Sequence, residues 1–310
     1  MTADRLTDQT ILVTGGAGFI GSHLANALVA ENDVRVLDNL TTGDRAHVPD
    51  SATFIEGDIR DDEALARATD GVDVIFHEAA LVSVQGSVED PLTSHEINST
   101  ATLELLEAAR AEDARVVLAS SAAIYGHPDS VPITETDPKD PTSPYGLGKL
   151  SVDHYARLYN ELYDLETIAL RYFNAFGPGQ VAGDYSGVIS IFLDQALGGD
   201  PITVNGEGTQ TRDFVYVDDI VQANLRAATT DVVGEAYNVG TGDSVTIREL
   251  AEHVQAVTDT DSEIVYTDPR PGDIQHSSAD ISKATADLDY EPTVSFQAGL
   301  ERTAEWYRSQ

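Results

Sequence analysis

The sequence predicts an α/β protein with a doubly wound parallel sheet, followed by a smaller α+β lobe. Three observations support this fold class. Short apolar strands alternate with helical stretches through the first half, a glycine-rich turn joins the first strand to the first helix, and the alternation ends after Phe173. Strands that are separated by helices need right-handed crossovers, and these crossovers place the strands parallel in one sheet.

The individual elements follow from their apolar periodicity, taken in chain order. Predicted strands span 9–14, 34–37, 53–56, 72–76, 115–120 and 167–171, and the main predicted helices span 18–30, 91–111 and 144–162. Glycine and proline then cluster at 177–179 and 269–272, where short strands and helices mix. We therefore expect a first domain over residues 1–172, to which segments around 213–240 return, and a lobe formed mainly by residues 173–310.

The composition excludes several kinds of site. The 310 residues include no cysteine, so disulfides, thiolate metal sites and a cysteine nucleophile are excluded. The eight histidines show no paired spacing, and no metal site is expected. No stretch approaches the roughly 20 apolar residues that span a bilayer, and the polar start at residues 1–9 has no apolar signal core. These features predict a cytoplasmic protein without a membrane partner.

The charge of the chain is unusual. The formal net charge is −35, and only three residues are lysine: Lys139, Lys149 and Lys283. The acidic residues are spread along the chain, which disfavours a dedicated cationic partner. A surface of this kind repels nucleic acid and is typical of proteins that work in high salt, where screening weakens self-repulsion. We expect a halophilic source and no nucleic-acid partner.

The turn after the first strand has the spacing of a phosphate-binding site. Gly15, Gly18 and Gly21 recur every third residue between a strand and a helix. Glycine permits a tight turn and lets the backbone approach a pyrophosphate, and the helix N-terminus offers N–H groups and a positive dipole. An ordinary glycine turn is the alternative, but the strand–turn–helix context favours a dinucleotide-binding Rossmann domain.

Two acidic residues follow the next two strands. Asp38 ends the second strand, where a carboxylate can accept both adenosine ribose hydroxyls and would repel a 2′-phosphate. This position favours NAD over NADP. Asp58 follows the third strand and is suited either to the adenine amino group or to capping a turn.

Three residues have the types and spacing of a proton-transfer site. Tyr145 and Lys149 are four residues apart, so on a helix they share one face. A nearby ammonium stabilises a phenolate, and we expect Lys149 to lower the pKa of Tyr145 from about 10 toward neutrality. Such a phenol exchanges protons with a sugar hydroxyl as a hydride leaves or arrives. Ser121 ends the fifth strand, where doubly wound sheets bind ligands. A surface pair is the alternative for Tyr145 and Lys149, but this chain otherwise avoids lysine.

Together these residues resemble the NAD-dependent epimerase/dehydratase family of extended short-chain dehydrogenases/reductases, and within it the branch that epimerises UDP-sugars at carbon 4. The resemblance covers nearly the whole chain. The motifs that carry it are the glycine turn, Asp38, Asp58-Ile59, His77-Glu78-Ala79-Ala80, Ser121, Tyr145 with Lys149, Arg171-Tyr172-Phe173-Asn174, Gln210-Thr211-Arg212-Asp213-Phe214 and Arg270-Pro271-Gly272-Asp273.

The resemblance implies a role for each residue. Tyr145 is implied as acid and base, Lys149 as a ligand of the nicotinamide ribose, and Ser121 as the hydrogen-bond partner of the sugar hydroxyl at carbon 4. The implied cofactor-binding residues are Gly15, Gly18, Phe19, Ile20, Gly21, Asp38, Asn39, Asp58, Ile59, Ala79, Ala80, Tyr145, Lys149 and Phe173. The implied substrate-binding residues are Ser121, Asn174, Val188, Thr203, Asn205, Arg212, Arg270 and Ser277.

The two arginines of the second set are implied as clamps on the substrate diphosphate, a role that the charge and fork geometry of guanidinium suit. Ordinary ion pairs are the alternative. For Arg212 the partner would be Asp213 or Asp218, and for Arg270 a loop acid.

The residues after Ser121 favour one reaction. By the resemblance, dehydratases place an acid pair there and decarboxylases a glutamate, whereas Ala122 and Ala123 cannot move protons. This implies oxidation at carbon 4, rotation of the keto sugar and reduction on its other face, with NAD retained. UDP-glucose and UDP-galactose are the expected substrates. By the resemblance, the small Ser277 leaves room for the N-acetylated sugars, and a plain polar loop residue is the equal alternative for this position.

Several alternatives stay open. They are a nucleotide-sugar dehydratase, a decarboxylase, a UDP-glucuronate 4-epimerase and a non-catalytic NAD-binding protein. Relatives form homodimers by packing two helices from each subunit, so the resemblance also implies a homodimer through the helices at 91–111 and 144–162.

Overall fold

The computed structural model describes residues 6–180, 187–270 and 272–310, and in these residues a parallel sheet of seven strands forms the centre of the molecule. Every strand of the sheet runs parallel to its neighbours. Helices cover both faces of the sheet. The predicted doubly wound α/β fold is therefore confirmed.

The elements are numbered in chain order. The strands are β1 (Thr10–Thr14), β2 (Asp33–Asp38), β3 (Thr53–Glu56), β4 (Val74–His77), β5 (Arg115–Ser121), β6 (Thr167–Tyr172), β7 (Asn174–Phe176), β8 (Ile202–Asn205), β9 (Thr211–Arg212), β10 (Phe214–Tyr216), β11 (Glu235–Val239), β12 (Val245–Thr246) and β13 (Ile264–Thr267). The helices are α1 (Phe19–Leu28), α2 (Asp62–Thr69), α3 (Val84–Glu89), α4 (Pro91–His95), α5 (Ala101–Glu112), α6 (Pro144–Tyr163), α7 (Val188–Gly198), α8 (Val217–Thr229), α9 (Ile247–Thr258), α10 (Ser282–Leu288) and α11 (Phe296–Arg308).

The strand order of the large sheet creates a binding crevice. The order is β11-β6-β5-β4-β1-β2-β3. Because the chain continues outward from β1 in one direction and from β4 in the other, the order reverses between these two strands. Ligands of doubly wound sheets bind at the carboxyl ends of the strands at such a reversal. Residues 235–239 form the outer strand next to β6, so part of the 213–240 segment lies in this sheet.

Both faces of the sheet are buried, which explains the nearly continuous apolar runs of its strands. On one face, Leu24 of α1 and Ile220 of α8 pack against Phe76. On the other face, Leu105 of α5 and Val152 of α6 pack against the opposite side of the strands. The helices of the two layers hold the carboxyl edge of the sheet in a fixed shape.

The helix predicted at 91–111 is interrupted in the structure. A wide π-helical turn over residues 96–100 separates α4 from α5. In this turn the Asn98 side chain is directed at Leu81, where Oδ1 accepts from the backbone N–H (2.8 Å) and Nδ2 donates to the carbonyl (2.9 Å). Such turns inside helices are frequent at functional sites, and this one holds the segment that follows β4.

The smaller α+β lobe is formed by other parts of the second half, including α7, β8, α9, β13 and α11. β8 pairs in parallel with β13. Phe192 of α7, Leu250 of α9 and Leu300 of α11 share an apolar core. No helix in the described ranges combines the length and the apolar character needed to cross a membrane.

Candidate functional site

The glycine turn after β1 forms a narrow cradle. Gly15 has a φ of +67°, and a Cβ there would lie 2.7 Å from the backbone nitrogen of Ala79. A Cβ on Gly21 would lie 2.3 Å from the carbonyl oxygen of Gly15. Only glycine fits these two positions. Gly18 precedes α1 without a side-chain cap, so the cradle opens onto a helix N-terminus and fits a pyrophosphate.

Asp38 lies beside this cradle at the end of β2. Its Oδ2 accepts a hydrogen bond from the backbone N–H of Ala17 (3.0 Å), and its Oδ1 accepts one from the N–H of Leu40 (2.8 Å). Each carboxylate oxygen has a further lone pair for a ligand. A carboxylate fixed at this place fits the two ribose hydroxyls of NAD and disfavours the 2′-phosphate of NADP.

Asn39 and Asp58 meet at the next strand end. The Asn39 amide donates to Asp58 Oδ2 (2.9 Å), and Arg60 donates to both oxygens of Asp58, each at 2.8 Å. The Arg60 side chain is the main cause that holds the pKa of Asp58 far below its usual range. Asp58 therefore stays ionised and orders its own turn, while Asp61 caps α2.

The apolar residues that are predicted to bind the cofactor lie in different parts of the fold. Ile20 packs against one face of the sheet and Ile59 against the other. Phe19 lies edge-to-face with His23, with ring centroids 6.0 Å apart. Phe173 is buried in a separate small cluster. All four side chains pack within the protein, and their contact with a cofactor stays a prediction.

The segment after β4 is held against the cradle. The N–H of Ala79 donates to Thr14 Oγ1 (3.2 Å), and this hydroxyl also bonds Nδ1 of His77 (2.8 Å). The other ring nitrogen of His77 bonds Thr102 (2.9 Å), and burial lowers the pKa of His77 to about 3. His77 is thus a neutral structural residue, and Ala80 follows it half-buried at the same edge.

Ser121, Tyr145 and Lys149 come together at the carboxyl edge of β5. The Ser121 side chain lies near Tyr145 and acts to lower the pKa of its phenol. The ammonium of Lys149 is buried and donates to the carbonyl of Ala119 (2.7 Å). The backbone N–H of Tyr145 donates to Ser87 Oγ (3.1 Å), which ties the start of α6 to α3. The four-residue spacing on one helix therefore does direct both side chains to the strand end.

The expectation that Lys149 lowers the pKa of Tyr145 is wrong in this structure. Burial raises the pKa of Tyr145, the Ser121 side chain opposes this, and the Glu78 carboxylate raises it further. Burial also lowers the pKa of Lys149 to about 8, against the effect of Glu78. The physical reason is that desolvation acts on both partners of the pair and disfavours the charged form of each.

Glu78 is the residue of this site to which the sequence assigned no role. Its Oε1 accepts a hydrogen bond from the Tyr172 hydroxyl (2.8 Å), and that hydroxyl accepts one from the Asn224 amide (2.7 Å). Ser87 was also missed as a support of the site. Only the motif at 77–80 pointed to Glu78, and no local pattern could show its partners on β6 and α8.

Asn174 and Arg212 lie together at the entrance to the lobe. β7 pairs with β10 so that Asn174 is opposite Phe214. The Asn174 amide donates to the carbonyl of Asp213 (2.8 Å). The Arg212 guanidinium donates to the carbonyl of Ile274 (2.6 Å). Its ion-pair partner is neither of the acids considered from the sequence.

The acid that pairs with Arg212 is Asp273, at 2.5 Å. The backbone N–H of Asp273 also bonds the carbonyl of Arg270 (3.3 Å), so both predicted clamping arginines belong to one loop region. Arg270 is exposed. Pro271 of the same motif lies outside the described residues.

The predicted uridine-binding residues line the lobe. Val188 begins α7, and Thr203 and Asn205 lie on β8. Asn205 accepts a hydrogen bond from the Thr267 hydroxyl (3.1 Å). Ser277 is buried on the segment that runs from the lobe toward the large sheet.

Comparisons with known proteins agree with this geometry. Residues 11–240 match the model of the NAD dependent epimerase/dehydratase family. UDP-glucose 4-epimerase from Mycolicibacterium smegmatis is 36% identical over 96% of this chain and 98% of its own length.

Two solved structures are similar over the whole fold. UDP-N-acetylglucosamine 4-epimerase from Methanobrevibacter ruminantium, in complex with UDP-N-acetylmuramic acid, has a TM-score of 0.95 and 38% identity over 98% of this chain and 100% of that chain. UDP-glucose 4-epimerase from Thermus thermophilus, in complex with NAD, has a TM-score of 0.90 and 39% identity over 96% of this chain and 99% of that chain. With its NAD-type cradle and these relatives, the chain is an NAD-dependent enzyme that belongs to the NAD dependent epimerase/dehydratase family.

Proposed function

We propose that the protein is a UDP-sugar 4-epimerase that interconverts UDP-glucose and UDP-galactose. One observation carries the choice of reaction. Ser121 ends β5 and is followed directly by Ala122 and Ala123, whose side chains cannot exchange protons. Water loss or decarboxylation would need an acid there, whereas epimerisation needs only one proton-transfer group and a hydride acceptor.

The proposed mechanism uses the residues at the end of β5 in two opposite steps. Tyr145, as phenolate, accepts the proton of the 4-hydroxyl while Ser121 holds the same oxygen. NAD held by the glycine cradle and Asp38 would supply a reversible hydride acceptor for carbon 4. The 4-keto sugar presents its other face, carbon 4 is reduced and Tyr145 returns the proton, so no net oxidation occurs.

The cofactor roles are part of this proposal. The glycine cradle of Gly15, Gly18 and Gly21 would hold the pyrophosphate, and Asp38 the adenosine ribose. Lys149 would bind the nicotinamide ribose with the ammonium that here donates to Ala119. Division into an NAD-binding domain over 1–172 and a sugar-nucleotide lobe over 173–310 fits this arrangement.

The substrate roles rest on the lobe. Arg212 and Arg270 would clamp the diphosphate with Asn174, because guanidinium forks match phosphate oxygens bidentately. Val188, Thr203 and Asn205 would line the uridine site. The small Ser277 supports entry of UDP-N-acetylglucosamine as well, and the relative from Methanobrevibacter ruminantium was solved with an N-acetylated sugar nucleotide.

The deciding experiment incubates the protein in molar KCl with UDP-glucose, UDP-N-acetylglucosamine and UDP-glucuronate and identifies products by NMR. We expect the carbon-4 epimer, and we expect Tyr145→Phe to retain NAD while losing turnover. Products that have lost water or carbon dioxide would replace the epimerase assignment with a dehydratase or a decarboxylase. Bound NAD without any product in the parent protein would favour a non-catalytic role.

A homodimer is proposed from the outer face of α6. Leu147, Leu158 and Leu162 are 60%, 43% and 62% exposed, and their spacing places them on one side of the helix. Leu92 on α4 is 76% exposed. An apolar surface of this kind marks an interface, and a second copy would cover it. A cytoplasmic, high-salt setting remains our expectation for the protein.

A further inference from the structure

We propose that Glu78 is a positioning residue whose anchored carboxyl group sets the protonation of the Tyr145 and Lys149 pair. This inference rests on the proposed function, because it assigns a task in the same proton transfer. It assigns a task to a motif residue to which the sequence gave no role, and it starts from the half-buried Glu78 and the two buried side chains that anchor it, Tyr172 and Asn224.

The position of the Glu78 carboxyl group is determined by a directed hydrogen-bond chain. The Asn224 amide nitrogen uses both of its protons, one on the carbonyl of Ile220 (2.9 Å) and one on the Tyr172 hydroxyl (2.7 Å). The single proton of Tyr172 is then directed to Glu78 Oε1 (2.8 Å). Because Asn224 donates to Tyr172 and Tyr172 donates to Glu78, Oε1 of Glu78 accepts a hydrogen bond. This series of hydrogen bonds therefore favours the carboxylate form of Glu78.

Two of the three side chains in this hydrogen-bond chain are shielded from solvent, and the third, Glu78, is half-buried. Asn224 is fully buried and Tyr172 is 7% exposed. Asn224 packs on α8 beneath the sheet, and Tyr172 ends β6 next to the strand that carries Ser121. A charge anchored in such surroundings acts over a longer range than one in water.

The groups around Glu78 determine what its charge can do. His77 of β4 is paired with Leu118 of β5, so Glu78 follows next to Ala119, whose carbonyl accepts from the ammonium of Lys149 on α6. Tyr145 lies one turn before Lys149 on the same helix, Tyr172 contacts Glu78 from β6, and both His77 and Tyr172 are neutral near pH 7. Glu78 favours the ammonium of Lys149 and disfavours the phenolate of Tyr145. With alanine at 122 and 123, Glu78 is, within the described residues, the carboxylate whose field reaches both catalytic groups.

The pKa shifts of Glu78 and Lys149 agree with the placement of the two side chains near each other. Burial raises the pKa of Glu78 to about 7, while the Tyr172 hydrogen bond and the Lys149 charge oppose that rise. Burial lowers the pKa of Lys149 to about 8. Glu78 and Lys149 therefore both titrate near neutral pH, and the protonation state of one changes the pKa of the other.

The test is Glu78→Gln in the NAD-loaded enzyme, since the glutamine carbonyl still accepts from Tyr172 while the charge is lost. We expect both limbs of the pH profile of kcat/KM to move to lower pH by about one unit. The acid limb moves because the Tyr145 phenolate forms more readily, and the alkaline limb because Lys149 loses its counter-charge. Glu78→Asp, which restores the charge, should return the limbs toward the parent values.

The matched control is Glu135→Gln. Glu135 is also half-buried and accepts a hydrogen bond from a backbone N–H, that of Asn238 (2.8 Å), but it faces Arg171 and Lys283 instead of the catalytic pair. Its pH profile should superimpose on that of the parent. A Glu78→Gln profile that also superimposes on the parent would overturn the proposal.

A second readout does not depend on turnover. The ultraviolet absorbance of tyrosinate is titrated in the parent and in Glu78→Gln, each with its Tyr145→Phe derivative subtracted, so that only Tyr145 is followed. A lower pKa of Tyr145 in Glu78→Gln supports the inference even if the parent shows no epimerisation, in which case the proposed function alone fails. An unchanged pKa refutes the inference even if the parent epimerises UDP-sugars.

Discussion

The pKa values of single residues in this site depend on their burial and on the charges packed around them. A tyrosine and a lysine four positions apart suggest a phenol activated by an ammonium, yet burial raises the pKa of Tyr145 and lowers that of Lys149. The ammonium instead bonds the carbonyl of Ala119. Side-chain identity thus predicts which groups exchange protons, whereas the balance of desolvation and neighbouring charge determines at which pH they do so.

Arg212 offers a test at the same scale. Its guanidinium bonds the carboxylate of Asp273 and the carbonyl of Ile274, so the planar fork is already oriented. We expect Arg212→Lys to weaken UDP binding by about tenfold, roughly 1.4 kcal/mol, because a lysine offers no bidentate fork. Calorimetric titration with UDP measures this change.

The control for that substitution is Arg226→Lys. Arg226 pairs with the exposed Asp289 at 3.2 Å on the surface, where ion pairs contribute little. UDP affinity should stay at the parent value in this variant. Equal losses in both variants would remove Arg212 from the diphosphate site.

At the scale of elements, the glycine cradle shows why strand, turn and helix act as a unit. Gly15 and Gly71 have nearly the same positive φ, +67° and +64°, but a Cβ on Gly15 meets Ala79, whereas nothing lies within 4 Å of one on Gly71. Gly71→Ala should therefore cost only the backbone strain, about 1–2 kcal/mol.

Gly15→Ala should lose more stability than Gly71→Ala and should also release NAD. The reason is that the same Cβ would displace the segment after β4 that closes the cradle. Thermal unfolding and the NAD content of the purified protein measure both effects. Matching losses of stability with NAD fully retained in both variants would show that the cradle tolerates a side chain.

A second prediction at the scale of elements concerns the proposed dimer interface on the outer face of α6. Charges introduced by a Leu147→Glu, Leu158→Glu double variant should separate a dimer into monomers, since each would be buried without a partner at the interface. Sedimentation analysis gives the mass. Val232→Glu, at an apolar residue 39% exposed elsewhere on the surface, should leave the mass unchanged. A parent protein that sediments as a monomer would reject the interface.

The strands and helices predicted for the first half agree with the observed elements, except for the stretch at 91–111. Predicted strands and helices of the first half correspond to β1 to β6, α1 and α6, because they have regular apolar periodicity and turn residues between them. The stretch at 91–111 was predicted as one helix, but it is interrupted because Asn98 bonds the backbone of Leu81. A contact between residues that are distant in sequence overrode a favourable local pattern.

At the scale of the whole molecule, the charge distribution stands out. The chain has three lysines, and each is at least half-buried and donates to a backbone carbonyl: Lys139 to Glu135, Lys149 to Ala119 and Lys283 to Ala236. None therefore serves as a fully exposed surface cation. The net charge of −35 is accordingly carried by a surface rich in carboxylates.

This surface predicts that folding depends on salt. Repulsion among carboxylates extends about 30 Å at 0.01 M salt and about 3 Å at 1 M. We expect the midpoint of thermal unfolding to rise steadily from millimolar to molar KCl, as followed by circular dichroism. A midpoint that does not change with KCl would contradict both the electrostatic argument and the expected halophilic source.

The sequence by itself determined the fold class, the glycine cradle, Asp38 and the trio of Ser121, Tyr145 and Lys149. Each of these depends on local periodicity or on a short motif whose position in an alternating fold is known. Only the tertiary structure decided that Asp273 pairs with Arg212 and that Glu78 is anchored by Tyr172, a residue 94 positions away. The first contact joins a short antiparallel strand to a distant loop, and the second arises because parallel strands bring their carboxyl ends to one edge. The pKa values at that edge follow from burial, which no local pattern records.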